Sequence, residues 1–165
     1  MEIRQLNPND AKQYQKLRLE GLQKDPVAFA SSYEEEKEYT IETYTNRLKS
    51  PEVYTFGAFE NEQLFGIVTL VRETKQKTRH KANIFAMYVS SEKRGRGMAR
   101  SLMEAVIQKA KELGGVEQIN LTVVSTNETA KKLYYSCGFK TFGLEKNSEK
   151  VGKTYYDEEY MVLFL

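Results

Sequence analysis

The sequence is poor in the residues that build the commonest disulfide and metal sites. It has one cysteine, Cys137, and one histidine, His80, among 165 residues. A single cysteine excludes an internal disulfide framework and a multi-cysteine metal site, and one histidine argues against a zinc site of histidine and cysteine. A Ser-His-Asp hydrolase would have to use His80, and no G-x-S-x-G elbow supplies its serine. We therefore expect no metal ion and no such hydrolase.

Long apolar runs and an excess of one charge are also missing. Runs such as YMVLFL at 160–165 are far too short to cross a bilayer, and the start, MEIRQLNPND, has no apolar core of a signal peptide. These features predict no membrane and a cytoplasmic location. The net charge of +2 is too balanced for a nucleic-acid binder, so the charged stretch 72–81 is interpreted as a solvated hairpin tip. The length predicts a single domain over 1–165.

Hydrophobic periodicity predicts an α/β chain with the element order βααβββαβαββ. Strands are expected over 2–6, 53–59, 63–73, 82–90, 118–124, 139–145 and 154–165. Helices are expected from Ala11 to the break at Asp25-Pro26, over roughly 40–49, over 97–113, and between Asn127 and Gly138.

One short stretch, EKRGRGMARSL at 92–102, sets two glycines and several arginines at the start of a predicted helix. The free N–H groups of a helix start, close backbone approach at glycine and guanidinium groups together favour a phosphate. Arg100 stands where a dinucleotide fingerprint has its third glycine, and no Gly-Lys-Ser/Thr follows to make a P-loop. Taken alone, the stretch fits a plain turn with solvated arginines equally well.

A second motif lies downstream, NETAKKLYYSCGF at 127–139, with the pattern N-x-x-A-x-x-L-Y-x-x-x-G-F. Together with MYVSSEKRGRGMARSL at 87–102, it resembles the GNAT superfamily of N-acetyltransferases. In this resemblance, Arg94-x-x-Gly97-x-Ala99 matches the acyl-CoA pyrophosphate motif, and the element order agrees over nearly the whole chain. The resemblance implies a mixed, twisted sheet of about seven strands with helices on both faces, and acetyl-CoA as co-substrate.

The resemblance also implies a set of site residues. Strands 82–90 and 118–124 would run parallel and splay apart, and the pantetheine arm would lie in the gap. The Val89 N–H would polarise the thioester carbonyl as a small oxyanion site. The cofactor-binding residues would be Met87, Tyr88, Val89, Arg94, Gly95, Arg96, Gly97, Met98, Ala99, Arg100, Asn127, Lys131 and Tyr134.

Tyr134 is the residue that the resemblance places near the CoA sulfur. A neutral phenol, with an ordinary pKa of about 10, can donate a proton to the leaving thiolate. By spacing alone, Tyr134 fits a core aromatic on the apolar face of Leu133 and Cys137. The family motif favours the role of general acid.

The acceptor side is less defined by the sequence. The resemblance implies an acceptor site near Phe29, Ser32, Glu35 and Tyr155. The run 34–36 in this segment is interpreted as a solvated helix face, and attraction of a cationic amine is the alternative. Many relatives place a glutamate where this chain has Ile84-Phe85-Ala86, so the general base is left open. The implied reaction is acetyl transfer to a small-molecule or peptide primary amine by direct attack. A protein N-terminal or lysine acetyltransferase and a non-catalytic acyl-CoA-binding module stay open, as does a homodimer.

Overall fold

A computed structural model, which describes residues 1–165, contains seven strands in one sheet. The strands are β1 (Glu2–Gln5), β2 (Val53–Glu60), β3 (Gln63–Arg72), β4 (Lys81–Val89), β5 (Gln118–Val124), β6 (Lys140–Val151) and β7 (Thr154–Phe164). Their order across the sheet is β1-β2-β3-β4-β5-β7-β6. Only β4 and β5 run parallel, and every other neighbouring pair is antiparallel. The mixed sheet expected from the resemblance is thereby confirmed.

Helices cover both faces of the sheet, as expected. They are α1 (Ala11–Lys24), α2 (Tyr33–Glu36), α3 (Ile41–Lys49), α4 (Met98–Glu112) and α5 (Glu128–Ser136). Helices α1 and α3 bury Tyr14, Leu17 and Tyr44 on one face. The stripe of α4 buries Leu102 and Val106 on the opposite face, where α5 also packs. No helix combines the length and the apolar character needed to cross a membrane.

Two elements differ from the sequence prediction. The short helix α2 was not part of the predicted element order. It is held by a capping box in which the Ser32 hydroxyl accepts from the Glu35 N–H and the Glu35 carboxylate accepts from the Ser32 N–H. A single turn is too short to show an apolar period. Strand β6 was expected to end at residue 145 but continues to Val151, because pairing with β7 holds a polar edge segment that has no apolar alternation.

The parallel pair β4–β5 separates soon after it begins. Residues Lys81–Asn83 pair with Gln118–Asn120, and no further pairing joins the two strands. Strand β5 stays paired with β7 as far as Val124, whereas the pairing of β4 with β3 shifts register where Ala86 takes a left-handed conformation, with φ of 54°. This bulge bends β4 away from β5. The expected splay is confirmed, and it opens the sheet at the carboxyl ends of both strands.

An ion cluster holds α1, α2 and α3 together above the sheet. The carboxylate of Glu36, fully buried, accepts two bonds of 2.7 Å from the Arg18 guanidinium. The Tyr44 hydroxyl donates to it at 3.1 Å and Arg47 at 3.3 Å. Burial alone would raise the pKa of Glu36, but the bonds and charges of Arg18 and Arg47 lower it from 4.5 to about 2. Glu36 therefore stays ionised inside the protein.

Replacement of Glu36 by glutamine should lower the free energy of unfolding by about 3–5 kcal/mol at neutral pH, because the buried Arg18 guanidinium would lose its charged partner. Urea denaturation measures this loss. The matched control is Glu34→Gln on the exposed side of α2, for which a change within about 0.5 kcal/mol is expected.

The contribution of Glu36 should also depend on pH. Because its pKa is depressed in the folded protein, the stabilisation is complete above the ordinary value of 4.5 and is lost as the pH falls through about 2. The difference between the wild type and Glu36→Gln should therefore shrink across that window. Equal stability of the two proteins at neutral pH would contradict this role of the cluster.

Candidate active site

A cavity of about 1120 Å³ opens where β4 and β5 separate. Its walls are the ends of these two strands, the loop and first turn of α4, the first half of α5, the segment Val27–Ser31, and the β6–β7 hairpin. The cavity thus connects the α4–α5 side of the sheet with the α1–α3 side. Two partners that approach from opposite faces of the sheet can meet in it.

The start of α4 forms the mouth of the cavity on one side. Gly97 is the N-cap residue, with φ of 82°, and no side chain caps the helix. A Cβ placed on Gly97 or on Gly95 would meet nothing within 4 Å. The first N–H groups of α4 therefore have no side-chain partner, and the helix dipole adds positive potential there. This geometry fits a phosphate group bound to the backbone.

The basic residues around this mouth have distinct positions. The Arg94 Nε donates to the Val89 carbonyl at 2.9 Å, and Arg94 Nη2 lies 3.5 Å from an Asp25 carboxylate oxygen. Arg100 lines the cavity and pairs with Glu104 at 3.0 Å. Arg96 lies outside the cavity lining. Arg94 thus ties the loop to the end of β4, so its first role is to position the backbone.

The backbone at the end of β4 presents an N–H group to the gap. The Ser90 N–H donates to the Phe65 carbonyl of β3 at 2.8 Å. Since successive strand residues direct their N–H groups to opposite edges, the Val89 N–H points away from β3 and toward the gap. The carbonyl of Val89 lies on the same edge as its N–H group. It accepts a bond from Arg94 and not from β3, which agrees with this direction. Met87, Tyr88 and Val89 all line the cavity.

Tyr134 lies on the inner wall of the cavity, on α5. Its side chain packs against Phe139 with ring centroids 6.1 Å apart, and the residue is only 6% exposed. The Tyr134 hydroxyl has no hydrogen-bond partner within the protein. Every fully buried side-chain oxygen of the structure has such a partner, so the Tyr134 hydroxyl is not fully buried and is accessible from the cavity. Burial raises the pKa of Tyr134 to about 12. The phenol is therefore protonated at neutral pH and opens onto the cavity.

Asn127 and Lys131 are placed differently from each other. Asn127 caps α5 by accepting from the Ala130 N–H at 3.1 Å, and it lines the cavity. The Lys131 ammonium contacts Glu159 at 2.8 Å and the Ser125 carbonyl at 3.2 Å. Lys131 lies outside the lining. The structure thus brings Asn127, but not Lys131, to the cavity.

Of the four expected acceptor residues, only Phe29 lines the cavity. Ser32 and Glu35 bond to each other in the capping box, and Tyr155 is 54% exposed. In each case an adjacent residue lines the cavity instead, namely Ser31, Glu36 and Tyr156. The predicted segments thus border the cavity, although three of the four predicted side chains do not line it. Strand alternation in TYYDEEY, with Tyr156 and Glu158 on one face, is the signal that was available.

Further side chains of the lining were not anticipated. Arg18 and Arg47 reach the cavity from α1 and α3, and Glu149 and Glu158 reach it from the β6–β7 hairpin. Glu149 was missed because the predicted strand ended at residue 145. The arginines were missed because their buried partner, Glu36, was interpreted as part of a solvated face.

Comparison with known proteins agrees with this geometry. The model of the family described as acetyltransferase (GNAT) domain matches residues 3–160. The acetyltransferase of the GNAT family from Streptococcus pneumoniae has a TM-score of 0.86 at 24% identity, with 99% of each chain covered. Ribosomal-protein-alanine N-acetyltransferase from Brucella melitensis has a TM-score of 0.87 at 19% identity, with 100% of each chain covered. YncA from Salmonella typhimurium, solved with its cofactor acetyl-CoA, has a TM-score of 0.86 at 15% identity over 99% of this chain and 92% of its own.

The family match and the site coincide in the molecule. The matched residues 3–160 include every residue that lines the cavity. The open helix start at Gly97 and the protonated Tyr134 lie on the walls of that one cavity. The chain belongs to the GNAT family of acetyltransferases, enzymes that use acetyl-CoA as the acetyl donor.

Proposed function

We propose that this chain, acting as a single domain of residues 1–165, transfers the acetyl group of acetyl-CoA to a small primary amine by direct attack in a ternary complex. One observation carries the proposal. A single cavity joins an uncapped helix start on one side of the split sheet to an unpartnered, protonated phenol inside it. A phosphate-bearing donor and an amine acceptor both have a place there.

Residues at the mouth of the cavity would bind the donor. Acetyl-CoA supplies an acetyl group activated as a thioester. The N–H groups from Gly95 to Ala99 would hold its pyrophosphate, because no side chain caps the start of α4 and the two glycines leave open space beside it. The β4 backbone at Met87 and Val89 would hold the amide-bearing arm along the edge that β5 leaves unpaired. Asn127 would contact the same arm from the start of α5.

Two groups would act on the reacting atoms. The Val89 N–H, directed into the gap, would stabilise negative charge on the carbonyl oxygen. The Tyr134 hydroxyl would give its proton to the departing sulfur, since its raised pKa keeps the phenol protonated until a strong base forms beside it. Proximity of the two bound reactants would provide much of the remaining acceleration.

The lining of the cavity favours a small acceptor over a protein segment. The segment Val27–Ser31, together with Glu36 and Arg47, walls the acceptor side. A cavity walled by these side chains suits a small amine, whereas a protein terminus or a lysine side chain is more readily bound in an open groove. The cytoplasmic location and the homodimer stay predictions.

Gly97→Val should weaken acetyl-CoA binding by at least about tenfold, or 1.4 kcal/mol, because the new side chain would crowd the space beside the start of α4 that is now open. Isothermal titration with acetyl-CoA measures the change. Gly152→Val is the matched control, since Gly152 is also left-handed, with φ of 62°, in the β6–β7 turn outside the cavity lining. Equal affinity of the Gly97 variant and the wild type would contradict the phosphate site.

Tyr134→Phe should lower kcat by roughly 10²–10⁴-fold, with acetyl-CoA affinity little changed, because the thiolate would leave without a proton donor. Release of CoA thiol across a panel of primary amines measures the rate. Tyr135→Phe is the control on the same helix, since the Tyr135 hydroxyl bonds to Thr141 on the exposed side. An unchanged kcat in Tyr134→Phe would remove this residue from the mechanism. Acetyl-CoA binding without acetylation of any amine would favour a non-catalytic module.

A further inference from the structure

Two carboxylates stand inside the cavity on the sheet face that α1–α3 cover. Glu149 of β6 and Glu158 of β7 both line the cavity. Glu149 is directly opposite Tyr156 in the β6–β7 ladder, and Glu158 is two residues along β7 from Tyr156. Directly opposite residues, and residues two apart on a strand, direct their side chains to the same face. The two carboxylates are therefore neighbours on the acceptor side.

The two groups differ in their partners. Glu158 accepts a bond of 2.7 Å from the Ser148 hydroxyl, which fixes its carboxylate. Glu149 has no hydrogen bond and no ion pair within the protein. Burial, and then the charge of Glu158, raise the pKa of Glu149 above its ordinary value. The Glu149 carboxylate thus has no hydrogen-bond donor within the protein and is available to accept a proton from a ligand.

A second, independent feature of the cavity points to the same reaction site. Tyr134, 6% exposed and on the α5 side, directs an unpartnered hydroxyl into this cavity. The cavity therefore contains an unpaired proton donor on one side of the split sheet and an unpaired proton acceptor on the other. An amine and a thioester that meet in the gap need one group of each kind.

We propose that Glu149 is the general base that deprotonates the acceptor's ammonium group, which Glu158 helps to hold. This assignment rests on the proposed function and deepens it. Glu149 would thus take the role of general base, for which Ile84-Phe85-Ala86 of β4 provides no carboxylate. The assignment also defines the acceptor as an amine that enters the cavity as a cation.

The proton and electron balance of this step is complete. Glu149 removes one proton from R–NH₃⁺, which frees the nitrogen lone pair. That pair forms the N–C bond to the acetyl carbon, and the C–S bond breaks with its electrons on sulfur. Tyr134 donates a proton to the sulfur and regains one from the nitrogen through cavity water. The proton on Glu149 passes to solvent, so the sum is amide, CoA thiol and one released proton.

The other charged or titratable side chains that line the cavity are Arg18, Asp25, Glu36, Arg47, Tyr88, Lys93, Arg94, Arg100, Tyr134, Tyr156 and Glu158. Glu36, with a pKa of about 2, keeps its charge in the range in which an enzyme of this kind would be assayed. Tyr134, with a pKa of about 12, keeps its proton there. Asp25 is paired with Arg94 and Glu158 accepts from Ser148, so among the carboxylates that line the cavity only Glu149 has no partner in the protein.

The test is the pH profile of acetyl transfer in the full chain, with acetyl-CoA and four probes: cadaverine, tyramine, L-lysine and a peptide with a free N-terminal alanine. For every amine that the wild type acetylates, Glu149→Gln should lower kcat/KM at neutral pH by about 10²–10³-fold. The loss should shrink as the pH approaches the pKa of the amine, because a neutral amine needs no base. Glu158→Gln should raise KM for the amine more than it lowers kcat.

Glu145→Gln is the matched control, because Glu145 lies on the same strand, is exposed and is outside the cavity lining. It should keep the wild-type rate, and all three variants should bind acetyl-CoA as the wild type does. A wild-type rate in Glu149→Gln, or a loss of equal size at every pH, would overturn the assignment. So would acetyl-CoA binding by the wild type without acetylation of any of the four amines. Failure of the wild type to bind acetyl-CoA would instead overturn the proposed function itself.

Discussion

The separation of β4 from β5 is the constraint on which the rest of the site depends. Backbone N–H and C=O groups in a protein interior need partners, and a sheet normally provides them strand to strand. Here the parallel pairing ends at Asn83 and Asn120, and the left-handed Ala86 bends β4 away. The edge that remains at Val89 is a template for an extended, amide-bearing ligand. Fold and function are linked at this point because the same defect in the sheet creates both the edge and the cavity.

The surroundings of the split keep it open and give its two sides different chemistry. On one side, α4 begins without a side-chain cap, so positive potential and free N–H groups favour an anion. On the other side, the buried Glu36 cluster anchors α2 and α3 to α1 and so fixes the roof of the cavity. The β6–β7 hairpin adds Glu149 and Glu158, which favour a cation. The charge of each side thus matches the reactant proposed for it.

Much of the fold was predictable from the sequence, because long elements carry periodic patterns. The stripe of Leu102, Val106 and Ala110 predicted α4 to within a residue at each end, and residues of both motifs, 87–102 and 127–139, line the cavity. What failed was local. One turn of helix, α2, has no period to detect, and the continuation of β6 is imposed by pairing with β7. Glu36 was predicted to be exposed to solvent, because the sequence does not show that Arg18 and Arg47 both pair with its carboxylate.

The most direct measurement is a titration of the ¹⁵N-labelled protein with CoA, followed by the backbone amide resonances. The split-sheet site predicts the largest shifts at the amides from Gly95 to Ala99 and at Val89, which lie at the open helix start and on the unpaired strand edge. Shifts at both places would show that one ligand spans the mouth and the gap. Shifts confined to other parts of the chain, or none at saturating CoA, would contradict the site.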